Sequence, residues 1–365
     1  MLHAEYNHLQ VTASWLLWLD GHGLVEVRGL PIGPAQVLQR SQTTLRQSLH
    51  SLRSPLFVAL AANYDRLLAL RPDGSVYGFG DNGLGGLGQS VAEHRWRPVA
   101  PGDRFSSSWV ERMRLLHGVL GVQQLTMGGG HSLALLEDGA LCAWGFDDVG
   151  QLGEKPSGPF AQRLVPWKVG GLPPLVAAAA GDGHSLALDR QGQVWGWGLN
   201  NMGQLGDGTR NNRYRPRLIA GLNDVIAIAA GAGHSLALDR QGRVWSWGEN
   251  TFGELGRPTG RHRFARKPLR VLGLPPSVRV VATGHLSAAL DAAGGVWWWG
   301  IGMRHVTKNT LWRVHRVAGI GPVAQLALHE GGMALQEHAT GRVWLWSPPY
   351  DDPHNTPQPV LAPGR

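Results

Sequence analysis

The sequence predicts an all-β chain, a seven-bladed β-propeller with four-stranded antiparallel blades. Three observations predict it. Glycine (52 of 365 residues) and tryptophan (16) are abundant, while charged residues make up only 16%. Glycine takes positive φ without strain and so marks tight turns, and tryptophan buries a large apolar area per residue. Second, the run Gly181-Asp182-Gly183-His184-Ser185-Leu186-Ala187-Leu188-Asp189-Arg190-Gln191-Gly192-Gln193-Val194-Trp195-Gly196-Trp197-Gly198 recurs 50 positions later, from Gly231 to Gly248, almost residue for residue. Third, the apolar spacing inside each copy has the two-residue period of a strand.

Each unit reads as four strands. In the best-preserved copy, residues 225–230 are small and β-branched and read as a first strand, and 234–238 as a second. Asp239-Arg240-Gln241-Gly242 is a hairpin turn, with glycine supplying the positive φ. Residues 244–247 make a third strand and 266–272 a fourth. The N-terminal copy is degenerate, Trp15-Leu16-Leu17-Trp18 running to Gly29. The others pass through Leu67-Leu68-Ala69-Leu70, Gly130-His131-Ser132-Leu133, Gly284-His285-Leu286-Ser287 and Gly332-Met333-Ala334-Leu335. Seven units at roughly 9–34, 56–100, 121–172, 173–222, 223–274, 275–320 and 321–362 are expected to close one ring over 1–365.

Two inserts, 35–55 and 101–120, break the period. In the first, Leu38, Leu45, Leu49 and Leu52 fall near one helical face, with Arg40, Arg46 and Arg53 elsewhere. In the second, Ser108 is expected to cap a short helix carrying Trp109, Glu111, Met113 and Leu116. Both read as helices packed across the ring edge.

The motif is long. Gly-x-Gly-His-Ser-Leu-Ala-Leu is followed by Gly-x-Val-Trp-x-Trp-Gly and then by Asn200-Asn201-Met202-Gly203-Gln204-Leu205-Gly206-Asp207-Gly208-Thr209. Variants of the last part are Gly85-Gly86-Leu87-Gly88, Gly150-Gln151-Leu152-Gly153 and Gly253-Glu254-Leu255-Gly256. These residues resemble the regulator of chromosome condensation repeat family, well over about 58–300 and poorly at both ends. The resemblance implies a seven-bladed propeller. It also implies guanine-nucleotide exchange on a small GTPase, the family's best-known activity, or capture and inhibition of an enzyme. No exchange-specific loop is matched, so no catalytic residue is carried over.

Other chemistry finds little support. Cys142 is the only cysteine, which excludes an intrachain disulfide and a cysteine metal cluster and fits a reducing compartment. The first residues show no basic-then-apolar leader, and no run reaches the roughly 18 apolar residues of a membrane span. A cytoplasmic monomer with no membrane insertion is expected. His131, His184, His234 and His285 recur once per unit. Ring symmetry spreads such residues apart, so they read as structural and no metal or cofactor is expected. Gly128-Gly129-Gly130 lacks the lysine and helix of a phosphate loop. Ser185 and Ser235 follow a histidine directly, and adjacent strand residues point to opposite faces. No enzymatic activity is expected.

Charge is more informative. The formal net charge is +8, which favours acidic partners. Strand alternation puts the first and third connections of every unit at one end of the ring, and the third connections are basic. They hold Arg95 beside Trp96, then Arg210, Arg213, Arg215 and Arg217, then Arg261, Arg263, Arg266, Lys267 and Arg270, then Arg304 and Arg313. Tyr214, Phe264 and Trp312 interleave with them. The expectation is a basic loop face that binds an acidic protein surface or a small GTPase, with nucleic acid or chromatin as the alternative.

Overall fold

The computed structural model describes residues 9–11, 15–19, 25–29, 45, 47, 49, 56–63, 66–88, 109–258, 263–300, 313–329, 332–346 and 358–359. Strands β1 (Leu9–Val11), β2 (Trp15–Leu19) and β3 (Val25–Gly29) form a three-stranded antiparallel sheet. The first blade is β4 (Ala59–Asn63), β5 (Arg66–Leu70), β6 (Val76–Asp81) and β7 (Trp109–Leu115). The second is β8 (Val122–Met127), β9 (His131–Leu136), β10 (Leu141–Phe146) and β11 (Gln162–Lys168). The third is β12 (Leu175–Ala180), β13 (His184–Asp189), β14 (Val194–Gly198) and β15 (Arg213–Leu218). The fourth is β16 (Val225–Ala230), β17 (His234–Asp239), β18 (Val244–Glu249) and β19 (Phe264–Arg270). The fifth is β20 (Ser277–Thr283), β21 (Leu286–Asp291), β22 (Val296–Gly300) and β23 (His315–Arg316). The sixth is β24 (Val323–His329), β25 (Gly332–Glu337), β26 (Val343–Trp346) and β27 (Gln358–Pro359).

The propeller and its four-stranded antiparallel blades are as the sequence predicts, but among the described residues there are six such blades, not seven. The N-terminal sheet has three strands among the described residues. The sequence after β3 carries helical rather than strand spacing. Leu45 and Leu49 are helical and buried against Leu17, Phe57 and Leu60. The strands β4, β8, β12, β16, β20 and β24 touch one another in order, and β1 lies between β24 and β4. These strands therefore surround the axis, and the N-terminal sheet completes the circle.

The helix expected at Ser108 is not present. Residues 109–115 are β7, the outer strand of the first blade, paired with β6. The misreading has a physical cause. Val110 pairs with Gly80 and Arg114 with Gly78, so four steps of β7 oppose two of β6. This bulge places Val110, Met113 and Leu116 inward at a three-residue spacing that mimics a helix. The same shift recurs in the next three blades, where Pro166, Pro216 and Pro268 lie inside it. Proline is tolerated there because no ladder N–H is required.

Tryptophans weld neighbouring blades. Trp144, Trp197, Trp247 and Trp299 are fully buried. Their indole Nε1 groups donate to the carbonyls of Gly86, Gln151, Gln204 and Glu254 in the preceding blade, at 2.9, 2.9, 2.8 and 2.8 Å. The second tryptophan bonds within its own blade: Trp195, Trp245 and Trp297 each donate to the turn aspartate, Asp189, Asp239 or Asp291, at 2.9 Å.

Candidate partner-binding surface

The repeated histidines are part of the frame. His131 Nε2 lies 2.9 Å from Ser185 Oγ, His184 Nε2 2.9 Å from Ser235 Oγ, and His234 Nε2 2.8 Å from Ser287 Oγ. Each serine donates its own proton to a carbonyl of the preceding blade, Gln151, Gln204 or Glu254. The serine oxygen is then an acceptor, so each imidazole is the Nε2–H tautomer. Burial pushes the three pKa values down to about 3, 4 and 3, so the rings are neutral. In the first blade Arg66 holds the histidine's place and donates to the carbonyls of Gly128 and Gly129.

His285 does not belong to this series. Leu286 pairs with Gly300 as His234 pairs with Gly248, so Leu286 holds the ladder position and His285 precedes it. The expected equivalence of four histidines is therefore corrected to three. The Gly-His pair at 284–285 imitates the motif one residue early. His285 Nδ1 instead meets Glu254 Oε1 at 2.8 Å. Burial lowers its pKa, but the hydrogen bond and charge of Glu254 outweigh this and raise it overall.

The expected basic residues fall in two groups. Arg95, Trp96, Arg261, Arg304 and Trp312 lie outside the described residues. Most of the others are not in connections at all. Arg213, Tyr214 and Arg215 are in β15, and Phe264, Arg266 and Lys267 are in β19, the outer strands of adjacent blades. The loop face of the sequence reading becomes, for these residues, an outer wall. Strand ends could not be placed because the bulge hides the two-residue alternation.

The structure brings the connection that leads into β15 against β19 across a seam. The Arg210 guanidinium sits 4.8 Å from the Phe264 ring centroid, and Gly208 N donates to Arg266 O at 2.9 Å. Gly203, at φ +78°, meets the Arg266 backbone so closely that a Cβ there would come within 2.9 Å of it. Arg213 is tied to Asp207 at 2.7 Å. Arg215, Arg217, Arg263, Arg266, Lys267 and Arg270 are exposed and have no acidic partner among the described residues. Arg313 is exposed in the fifth blade. Beside β15 a groove of about 770 Å³ is lined by Glu154, Lys155 and residues 212–217. Tyr214 forms part of it and stacks against Gly150 of the preceding blade.

Sequence reasoning missed two features. Arg163, ion-paired with Glu154, lies 4.4 Å from the ring centroid of the half-exposed Trp167 on β11 of the second blade. Glu249, Glu254 and His285 converge between the fourth and fifth blades. The signal for the second was their joint departure from the repeat.

A closed circle of antiparallel sheets, cross-bonded by repeat-borne His, Ser and Trp, defines a propeller of the glycine- and tryptophan-rich repeat class. The chain belongs to the RCC1-like domain family, whose model matches residues 28–316. It is 46% identical over 88 residues to the probable E3 ubiquitin-protein ligase HERC3 of Homo sapiens, covering 23% of this chain and 8% of that protein. It is 30% identical over 151 residues to the ultraviolet-B receptor UVR8 of Arabidopsis thaliana, covering 41% of this chain and 31% of the receptor. The chain thus spans less than a third of either relative. The crystal structure of Prp20p from Saccharomyces cerevisiae superposes with a TM-score of 0.70 at 21% identity, over 98% of this chain and 88% of that one.

Proposed function

We propose that this protein is a non-catalytic binding scaffold whose basic outer wall, at the seam of the third and fourth blades, captures an acidic protein surface. One observation carries the reading. The contact of Arg210 with Phe264 ties the connection leading into β15 to β19, so Arg215, Arg217, Arg266 and Lys267 present unneutralised charge on neighbouring strands joined at that seam. Desolvated arginine beside an aromatic residue is a common anchor in protein interfaces. The family supports a partner-binding role: the Prp20p structure is described with binding properties to Gsp1p and histones. No serine–histidine–acid set or phosphate loop occurs among the described residues, and the buried His–Ser pairs are spent on the frame.

The test is a triple variant, R215E/R266E/K267E, used beside the wild type to capture partners from the native cell. Loss of capture at unchanged melting temperature is expected; undiminished capture overturns the reading. Retention on heparin that collapses with salt would move the assignment to nucleic acid. Acceleration of nucleotide release from a captured GTPase would move it to exchange.

A further inference from the structure

The fourth and fifth blades meet at three residues that depart from the repeat together. Glu249 ends β18, and Glu254 lies in the connection to β19. His285 lies between β20 and β21. One ligand atom from each falls within 4.8 Å of the other two.

Hydrogen bonding identifies the equivalent positions. Phe146 N donates to Gly130 O, Leu199 N to Gly183 O, and Glu249 N to Gly233 O. Phenylalanine and leucine therefore stand in the second and third blades where Glu249 stands, and the first blade carries Asp81 there. The side-chain oxygens of Gln151, Gln204 and Glu254 accept from Val149 N, Met202 N and Phe252 N in turn. Gln204 completes its bonding through its amide, to Asn201 at 3.2 Å, and Gln151 does so to Asp148. Glu254 brings a charge to the same buried place. His285 stands where the other blades carry Gly130, Gly183 and Gly233.

Glu254 is fully buried and paired with His285, but neither it nor Glu249 meets a lysine or arginine among the described residues, so two carboxylates face one imidazole in a chain of net charge +8. Buried carboxylates are ordinarily paired or bound to metal. Gly233 leaves room for the second carboxylate, since a Cβ there would lie 2.5 Å from Glu249 Oε2. The Phe252 ring packs 4.6 Å from His285 and fixes its orientation.

We propose that Glu249, Glu254 and His285 bind a divalent transition cation, with zinc as the best match. One imidazole and two carboxylates are a borderline donor set, and zinc accepts N and O ligands at about 2.0–2.2 Å. The three donor atoms lie within 4.8 Å of one another, close enough to converge on one ion by side-chain rotation. Three protein ligands leave a position for water or for an oxygen donor of a docked partner, so the ion bridges two blades and remains open.

The test uses the full chain stripped with a chelator, titrated with zinc by calorimetry and with Co(II) by visible absorption. Glu254→Gln restores the residue of the second and third blades, His285→Gly that of the second to fourth, and Glu249→Gln removes only charge. One zinc per chain is expected, with each variant weakening it at least about tenfold. The Co(II) spectrum of a low-coordinate N/O site is expected in the wild type and lost in E254Q. Equal zinc uptake by wild type and E254Q would assign binding to other histidines and overturn the proposal, as would no uptake at millimolar zinc. If H285G fails to fold, E249Q decides on the same readouts.

Discussion

Gly181 and His184 are a single device in two residues. A Cβ at Gly181 would lie 2.3 Å from His184 Cε1 and 2.6 Å from the Gly231 carbonyl. Gly181→Ala is therefore expected to cost about 1–3 kcal/mol in urea unfolding through overpacking. Ser235→Ala removes the acceptor for His184 and the donor to Gln204, and leaves buried groups unpaired at a similar cost of about 1–3 kcal/mol. The histidines also set an acid limit. Their folded pKa values, about 3 to 4, lie below the unfolded value of 6.5, so below pH 6.5 the unfolded chain binds more protons. Each ring then lowers stability by about 1.4 kcal/mol per pH unit as pH falls from 6.5 towards 4. Asp147, raised by burial to about 6, and His285, raised by Glu254, act in the opposite sense but are fewer. A urea midpoint that drops between pH 6.5 and 4.5 checks the sign. The structural role of these histidines was legible from their recurrence. The departure of His285 was not, because a transposed Leu-Ser keeps the look of the motif while the pairing with Gly300 moves it out of line.

The turn and the bulge set how far each element could be read. Asp239 Oδ1 accepts from Gln241 N and Arg243 N at 3.0 Å, and its Oδ2 accepts from Trp245 Nε1 and Arg243 Nε. One side chain thus closes the hairpin and fixes the next strand. Burial alone would push its carboxyl pKa up, but the bonds from Trp245 and Arg243 hold it below the ordinary range. Asp239→Ala is expected to cost about 1–3 kcal/mol, since several part-buried donors lose a buried acceptor together. Thermal unfolding of the variant measures this. Such turns are visible in sequence because Asp and Gly have fixed local duties. The fourth strands are harder, since the bulge beside Pro216 or Pro268 breaks the alternation by which a strand is recognised. At β7, with Met113 at that place, the pattern passes for a helix.

Across the molecule, charge is concentrated on the wall and covalent closure is lacking. The seam of Arg215, Arg266 and Lys267 predicts capture that weakens steeply as salt shortens the screening length below about 10 Å. Surface plasmon resonance at graded salt would show this mainly in the association rate. Leu17, fully buried with Leu45, Leu49, Phe57 and Leu60, ties the N-terminal sheet to the first blade. Leu17→Ala is expected to cost about 2–5 kcal/mol. Hydrogen exchange would locate the loss, with amides of β4 and β24 exposed while β12 to β19 stay protected. That position of β1 between β4 and β24 bears on how the chain is made. Strand β1 finds one of its two flanking neighbours only after more than 300 further residues have been added. Until β24 has been made, the growing ring carries two raw ends. The blades between can stack as they emerge, but the protein becomes whole in a single late step of long loop closure, and that is where crowding, chaperones and slow translation would have their greatest hold on its yield.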